Sequence, residues 1–251
     1  MIQYYQVSHH CCAKEDAMSD QLLVPSIEKR LGSLLEINRR KDESEASRIR
    51  AGKVKPAITI SREFGCEAFP MAEKLKEIME QKTGQSWALM DKVLLEEVAK
   101  HHKLSEDILH GLGEKSRILD EMLATFTPRW KSEKDYFRLI CKHVFSLAEK
   151  GNVIIVGRGS AIVTQPLKNC YHFRMYASHE YKVASIARRL KLTLNEAESV
   201  VEKKQKQRDD FIRDFLDRDA RDLRFYHLVF NNDKNSPERI AQMIAEYVMT
   251  S

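Results

Sequence analysis

The chain has 251 residues, 43% hydrophobic and 31% charged, which allows one large α/β domain, or one domain with an appendage, under a densely charged surface. A net charge of +5 is compatible with phosphorylated ligands but too small to indicate nucleic acid, and no apolar run approaches the ~18 residues of a membrane helix. Five cysteines, odd in number and without framework spacing, point to reduced thiols, and the start Met1-Ile2-Gln3-Tyr4-Tyr5 lacks the basic flank and apolar core of a signal peptide, so a cytoplasmic protein without membrane contact is expected.

Residues 1–20 carry no hydrophobic period. His9-His10-Cys11-Cys12 offers imidazole and thiolate, but adjacent residues rarely converge on one ion and no second cluster has finger-like spacing, so no metal site is expected. From Pro25 to about Arg50, Ile27, Leu31, Leu34 and Leu35 form a helical stripe beside the charged run Arg39-Arg40-Lys41-Asp42-Glu43. Such a stripe serves packing within the chain or, alternatively, a homodimer contact. Residues 1–55 therefore read as an N-terminal extension with one amphipathic helix, and 56–251 as the main domain.

The main domain opens with Ile58-Thr59-Ile60, an apolar β-branched run behind Lys55-Pro56 that predicts a short buried strand. A polar turn follows at Ser61–Gly65, and Met71, Ala72, Leu75, Ile78 and Met79 then recur at helical spacing with Pro70 in the first turn. Strand, turn and helix N-terminus is the layout that aims backbone N–H groups and a helix dipole at a phosphate. Against the pattern G-x-x-x-x-G-K-[ST], only Gly65 remains, no lysine is present and Glu67 adds a negative charge, so an ordinary βα corner is the competing reading. A carboxylate facing a polyanion at ~5 Å, at an effective dielectric near 20, would repel it by roughly 3 kcal/mol per charge pair.

Ser86–Leu89 predicts a second strand, followed by Asp91 and a helix carrying Val93, Leu94, Leu95 and Val98. Ser105 caps a further helical stretch, the register continues through Ile118–Phe126, and Tyr136–Lys150 is amphipathic. Val153–Val156 predicts a central parallel strand buried on both faces. It runs into Gly157-Arg158-Gly159 at the carboxyl edge, where open α/β sheets bind ligands and where a guanidinium grips phosphate bidentately; an arginine paired to a nearby acid is the alternative. Cys170–Tyr176 is a strand, His179–Leu190 a helix, and Thr193 with Glu196 forms a capping box for a helix to about Leu216. Arginines and aspartates alternate from Arg208 to Arg224, by default a solvated face, though arginine-rich elements also close over phosphoryl-transfer substrates. Tyr226–Phe230 is a last strand, and Ser236-Pro237 starts a final helix. Five strands alternating with helices imply an α/β fold with a five-stranded parallel sheet flanked by helices.

The order of these parts resembles the cytidylate kinase-like family, a nucleoside monophosphate kinase branch of the P-loop NTPase fold. The segments that carry the likeness are Ile58–Gly65, Trp87–Asp91, Val153–Gly159, Phe173–Ser178 with Arg188-Arg189, and Tyr226–Asn231. The resemblance spans about residues 57–249. It implies ATP with Mg²⁺ and transfer of a phosphoryl group to a nucleoside monophosphate of cytidylate type, or a similar small acceptor. By position, Ser61, Arg62, Gly65, Cys66, Glu67 and Ala68 would form the phosphate-binding loop. Arg158 and Asp91 would bind the acceptor, while Arg208 and Arg213, on a helical lid at about 191–224, would act with Arg158 on the transferring group. Relatives read Gly-Ser-Gly-Gly-Arg where this chain reads Gly65-Cys66-Glu67-Ala68-Phe69, and cytidylate kinases have a lysine there and an aspartate at the position of Gly159. The alternative function is a kinase fold kept as a ligand-sensing or protein-interaction module.

Overall fold

The computed structural model describes residues 55–100 and 131–251. The N-terminal extension with its His9–Cys12 run and amphipathic helix, and the helical stretches expected between Ser105 and Phe126, lie outside the described residues.

In chain order the elements are β1 (Ala57–Arg62), α1 (Ala68–Thr83), β2 (Ala88–Met90), α2 (Lys92–Lys100), α3 (Lys131–Lys150), β3 (Val153–Val156), α4 (Ser160–Val163), β4 (Cys170–Tyr176), α5 (His179–Leu190), α6 (Leu194–Leu216), a 3₁₀ turn (Leu223–Phe225), β5 (Leu228–Asn231) and α7 (Pro237–Thr250). The five strands form one all-parallel sheet in the order β2-β3-β1-β4-β5, the α/β architecture that the alternation of strands and helices predicts. Among the described residues seven α-helices flank it, and none is long and apolar enough to cross a membrane.

The two faces of the sheet are covered separately. Ile58, Ile60, Ile154, Val156, Phe173 and Met175 pack with residues of α1 and α7, including Leu75, Met79, Ile240 and Ile244. The alternate residues Ala57, Val153, Ile155 and Cys170 pack with α2 and α3 through Leu94, Leu95, Val144 and Phe145. On this second face polarity rises toward the carboxyl edge. The β1–β4 register pairs Ala57 with Cys170, then Thr59 with His172, then Ser61 with Arg174. Thr59 Oγ1 lies 2.8 Å from His172 Nδ1, and burial beside His227 pushes the His172 pKa down to about 4.

Two strand starts differ from the sequence reading for a local reason. Trp87 donates its amide to Glu80 Oε1 (2.9 Å) and its indole N–H to Thr83 Oγ1 (3.1 Å), so β2 begins only at Ala88. Tyr226 donates its amide to Leu223 O (3.1 Å) to close the 3₁₀ turn, so β5 begins at Leu228. Thr193 and Glu196 form the capping box that their spacing predicts, and Ser236 with Pro237 starts α7.

Candidate functional site

A cavity of about 350 Å³ opens at the carboxyl edge of β1 and β3, walled by the loop after β1, the turn after β3, the start of α2, and α6. Arg62, Lys92, Arg158, Arg174, Arg189, Lys204 and Arg208 line it and, among the described residues, the carboxylates that join them are Asp91 and Asp209. Low-dielectric walls with an excess of one sign of charge favour the opposite sign, so the lining is of the kind that suits an anion.

Of the phosphate-binding loop residues expected from the sequence, Ser61, Arg62, Gly65, Cys66 and Ala68 reach this cavity and Glu67 does not. The loop is anchored on both sides. Glu63 takes an ion pair from Lys182 of α5 (2.8 Å), and Phe64, buried, packs into a small core with Val183, Ile186, Ala197 and Val201 of α5 and α6. The Phe64 amide donates to Gln205 Oε1 (2.8 Å), and the Glu67 amide donates to Asn232 Oδ1 (3.0 Å). Among the described residues no acceptor meets the amides of Gly65, Cys66 or Ala68, which lie at the N-terminus of the 16-residue α1. Gly65 has φ +98°, and a Cβ there would sit 2.6 Å from Lys182 Cβ, so this position requires glycine. The Glu67 carboxylate turns away to Arg188 and Ser185 of α5, which removes most of the repulsion that its place in the sequence implies. Cys66 is a buried neutral thiol, its pKa pushed up to about 12 by desolvation and by Glu63.

In the turn after β3, Gly157 leaves room for the Arg62 guanidinium, and Gly159 (φ +67°) leaves room for the Leu216 methyl of α6. At that φ a side chain is strained, and a Cβ would displace the Leu216 methyl, which together favour glycine at 159. Arg158, itself in the left-handed region at φ +56°, pairs with Glu96 of α2 and lies over the Phe211 ring at 4.8 Å. Arg158 thus meets an acid, as the alternative reading has it, and at the same time lines the cavity where a phosphate would be gripped. Asp91 lines the cavity and accepts from the Leu94 amide through Oδ1 (3.1 Å), capping α2.

On α6, Arg208 reaches the cavity and stacks on the Phe64 ring at 4.8 Å. Arg213 lies outside it, exposed, and pairs with Asp210 and Asp214 on its own helix. Four cations that sequence reasoning did not assign to the site join it: Lys92, Arg174, Arg189 and Lys204. Lys204 sits in a charged run, yet shares the inward stripe of α6 with Ala197 and Val201, a spacing that identifies it. Arg174 is hidden between Phe173 and Met175, and only the pairing of its strand with β1, 113 residues away, places it beside Ser61.

Residues 57–234 match the profile of the cytidylate kinase-like family. The fold is also similar to the crystal structure of an uncharacterized protein from Eubacterium ventriosum, with a TM-score of 0.60 and 21% identity over 78% of this chain and 99% of that one. At that identity the likeness concerns fold alone. No curated protein matches the chain.

Proposed function

The chain belongs to the cytidylate kinase-like family, and from that premise we propose that it moves the γ-phosphoryl group of ATP to a nucleoside monophosphate of cytidylate type or a similar small phosphorylated acceptor. One observation carries the reading: seven cationic side chains line a cavity together with three loop residues, Gly65, Cys66 and Ala68, whose amides meet no acceptor among the described residues. Phosphoryl transfer asks a protein chiefly for positioning and charge neutralisation. Arg158, on the β3 side of β1, is suited to the acceptor's phosphate, with Asp91 beside it facing the acceptor nucleoside. Arg208, carried by α6, is suited to the charge that develops on the transferring group. Mg²⁺ would arrive with ATP and take most of its ligands from phosphate and water, and Asp209 is the carboxylate on the cavity wall left for the protein's share. Residues 191–224 serve as the lid of domain 56–251, with Gln205 and Phe64 as the points where lid and loop meet.

A second reading is favoured by a specific observation. Gln205 and Asn232 already occupy two loop amides, and Phe64 bolts the loop to α5 and α6, an arrangement that suits a ligand-sensing module without turnover. Thermal melts with ATP and CMP, with and without Mg²⁺, combined with an assay for ADP, separate the two. A ligand at 100 times its Kd stabilises the native state by about 2.7 kcal/mol. Stabilisation with ADP formation is the expected outcome, stabilisation without turnover would establish the module, and no stabilisation by any nucleotide would overturn both.

A further inference from the structure

Arg174 is 4% exposed, mounted on β4 and open to the cavity. Its Nη1 donates to Ser61 Oγ (3.1 Å), and its Nη2 lies 3.8 Å from Glu63 Oε1, while the other oxygen of Glu63 is taken by Lys182 at 2.8 Å. A guanidinium has five N–H donors and does not lose its charge in a protein. One hydrogen bond to a neutral hydroxyl, one long carboxylate contact, the Tyr226 ring at 5.8 Å and the more distant charge of Asp219 leave most of its five donors to the cavity. The mounting is rigid. Tyr226 Oη lies 2.7 Å from Ala220 O and 3.1 Å from Ser61 Oγ; a carbonyl only accepts, so the Tyr226 proton goes to Ala220 and Ser61 donates to Tyr226. The Ser61 oxygen is thereby held in place for Arg174. The charge of Arg174 reaches the loop, where it acts on Cys66 together with Lys182 and Arg208.

We propose that Arg174 is the phosphate-binding cation of this chain, supplying from the sheet the charge that a loop lysine would otherwise supply to the donor phosphates. The sheet order puts Arg158, after β3, and Arg174, on β4, on opposite sides of β1, so the two guanidiniums address the loop from both flanks. This inference rests on the phosphorylated-ligand reading above, and its test separates the two. Titration calorimetry with inorganic tripolyphosphate, ATP and CMP is run on the wild type and on Arg174→Met, which keeps the side-chain volume. Tripolyphosphate and ATP affinity is expected to fall about 10- to 100-fold in the variant, as for the loss of hydrogen bonds to a charged group, with CMP affected less. The melting temperature without ligand is expected to hold or rise, because Glu63 keeps Lys182. Arg174→Gln, which retains a donor toward Ser61, provides the same comparison if the methionine variant does not fold. Unchanged triphosphate affinity in a folded variant overturns the inference alone, as does a loss confined to CMP. Failure of both variants to fold would make Arg174 structural and overturn it as well. Binding of tripolyphosphate without any nucleotide, lost on substitution, sinks the nucleotide reading and sustains Arg174, whereas no binding of any probe by the wild type sinks both.

Discussion

Along the end of α6 and the turn beyond it, three arginines meet acids of their own neighbourhood: Arg213 with Asp210, Arg221 with Asp219, and Arg224 with Asp222. These arginines are 64%, 68% and 88% exposed, and water screens both partners. The basic residues of β4 sit under the opposite regime. His172 and Arg174 are buried two positions apart on one face of one strand, and among the described residues the acid that comes within ion-pair reach of Arg174 is Glu63, at 3.8 Å. The imidazole meets burial by giving up its proton, whereas the guanidinium cannot, and so it faces a cavity where an anion can complete it. A basic residue thus says little about function until its burial and its partners are known.

The largest effect that can test this contrast comes from His172. Its folded pKa is lowered to about 4 from an ordinary 6.5, chiefly by burial and then by the charge of His227. Between those values the unfolded chain binds a proton that the folded chain refuses, so stability is fully present above about pH 6.5 and is lost as pH falls toward 4. A shift of this size corresponds to about 3 kcal/mol. Urea melts of the wild type at pH 7 and pH 4.5 should differ by that order, and His172→Gln should flatten the difference. An equal pH dependence in the variant would assign the slope to other groups and break the contrast.

Arg158 stands between the two regimes, facing the cavity like Arg174 yet paired like the α6 arginines, here with Glu96. Arg158→Ala should weaken CMP binding by about 1.5–3 kcal/mol. It should also lower stability, because Glu96 is left poorly solvated without its partner. Adding Glu96→Gln should restore the melting temperature and leave the affinity low. Recovery of stability together with full CMP affinity in either variant would mark Arg158 as an ion-pair partner only.

Much of the fold was legible because its signals are local. Val153–Val156 is continuous and apolar, Thr193 and Glu196 have capping-box spacing, and strands alternate with helices throughout. The same local reading pointed to Gly65 and Arg158, which line the cavity, whereas Arg208 was reached only through the family resemblance. It placed Glu67 there as well, because the sequence does not carry the position of Arg188, 121 residues on, toward which the carboxylate turns. Arg174 escaped notice for the converse reason: inside an apolar strand it carries no motif, and strand register alone brings it to Ser61. Lys204 was obscured by the charges flanking it, although its spacing from Ala197 and Val201 was there to be counted.

The smallest expected effect belongs to Arg213, and it sharpens the contrast within a single helix. Arg208 and Arg213 are five residues apart, which at ~3.6 residues per turn places them about 140° apart around the axis. Arg208 faces the cavity over Phe64, and Arg213 faces water. A rigid α6 cannot present both to one phosphoryl group. Rolling the helix to bring Arg213 inward would withdraw Val201 and Gln205 from the loop and break the contact between the Phe64 amide and Gln205. Arg213→Ala should therefore leave the melting temperature unchanged and alter ATP and CMP affinity by less than about twofold, as for other solvent-screened pairs. Arg208→Ala should lower both the affinity and any ADP formation. If Arg213→Ala instead abolished turnover while nucleotide binding stayed intact, α6 would have to roll or unwind during the reaction, and the docked position of the lid would represent only one of its working states.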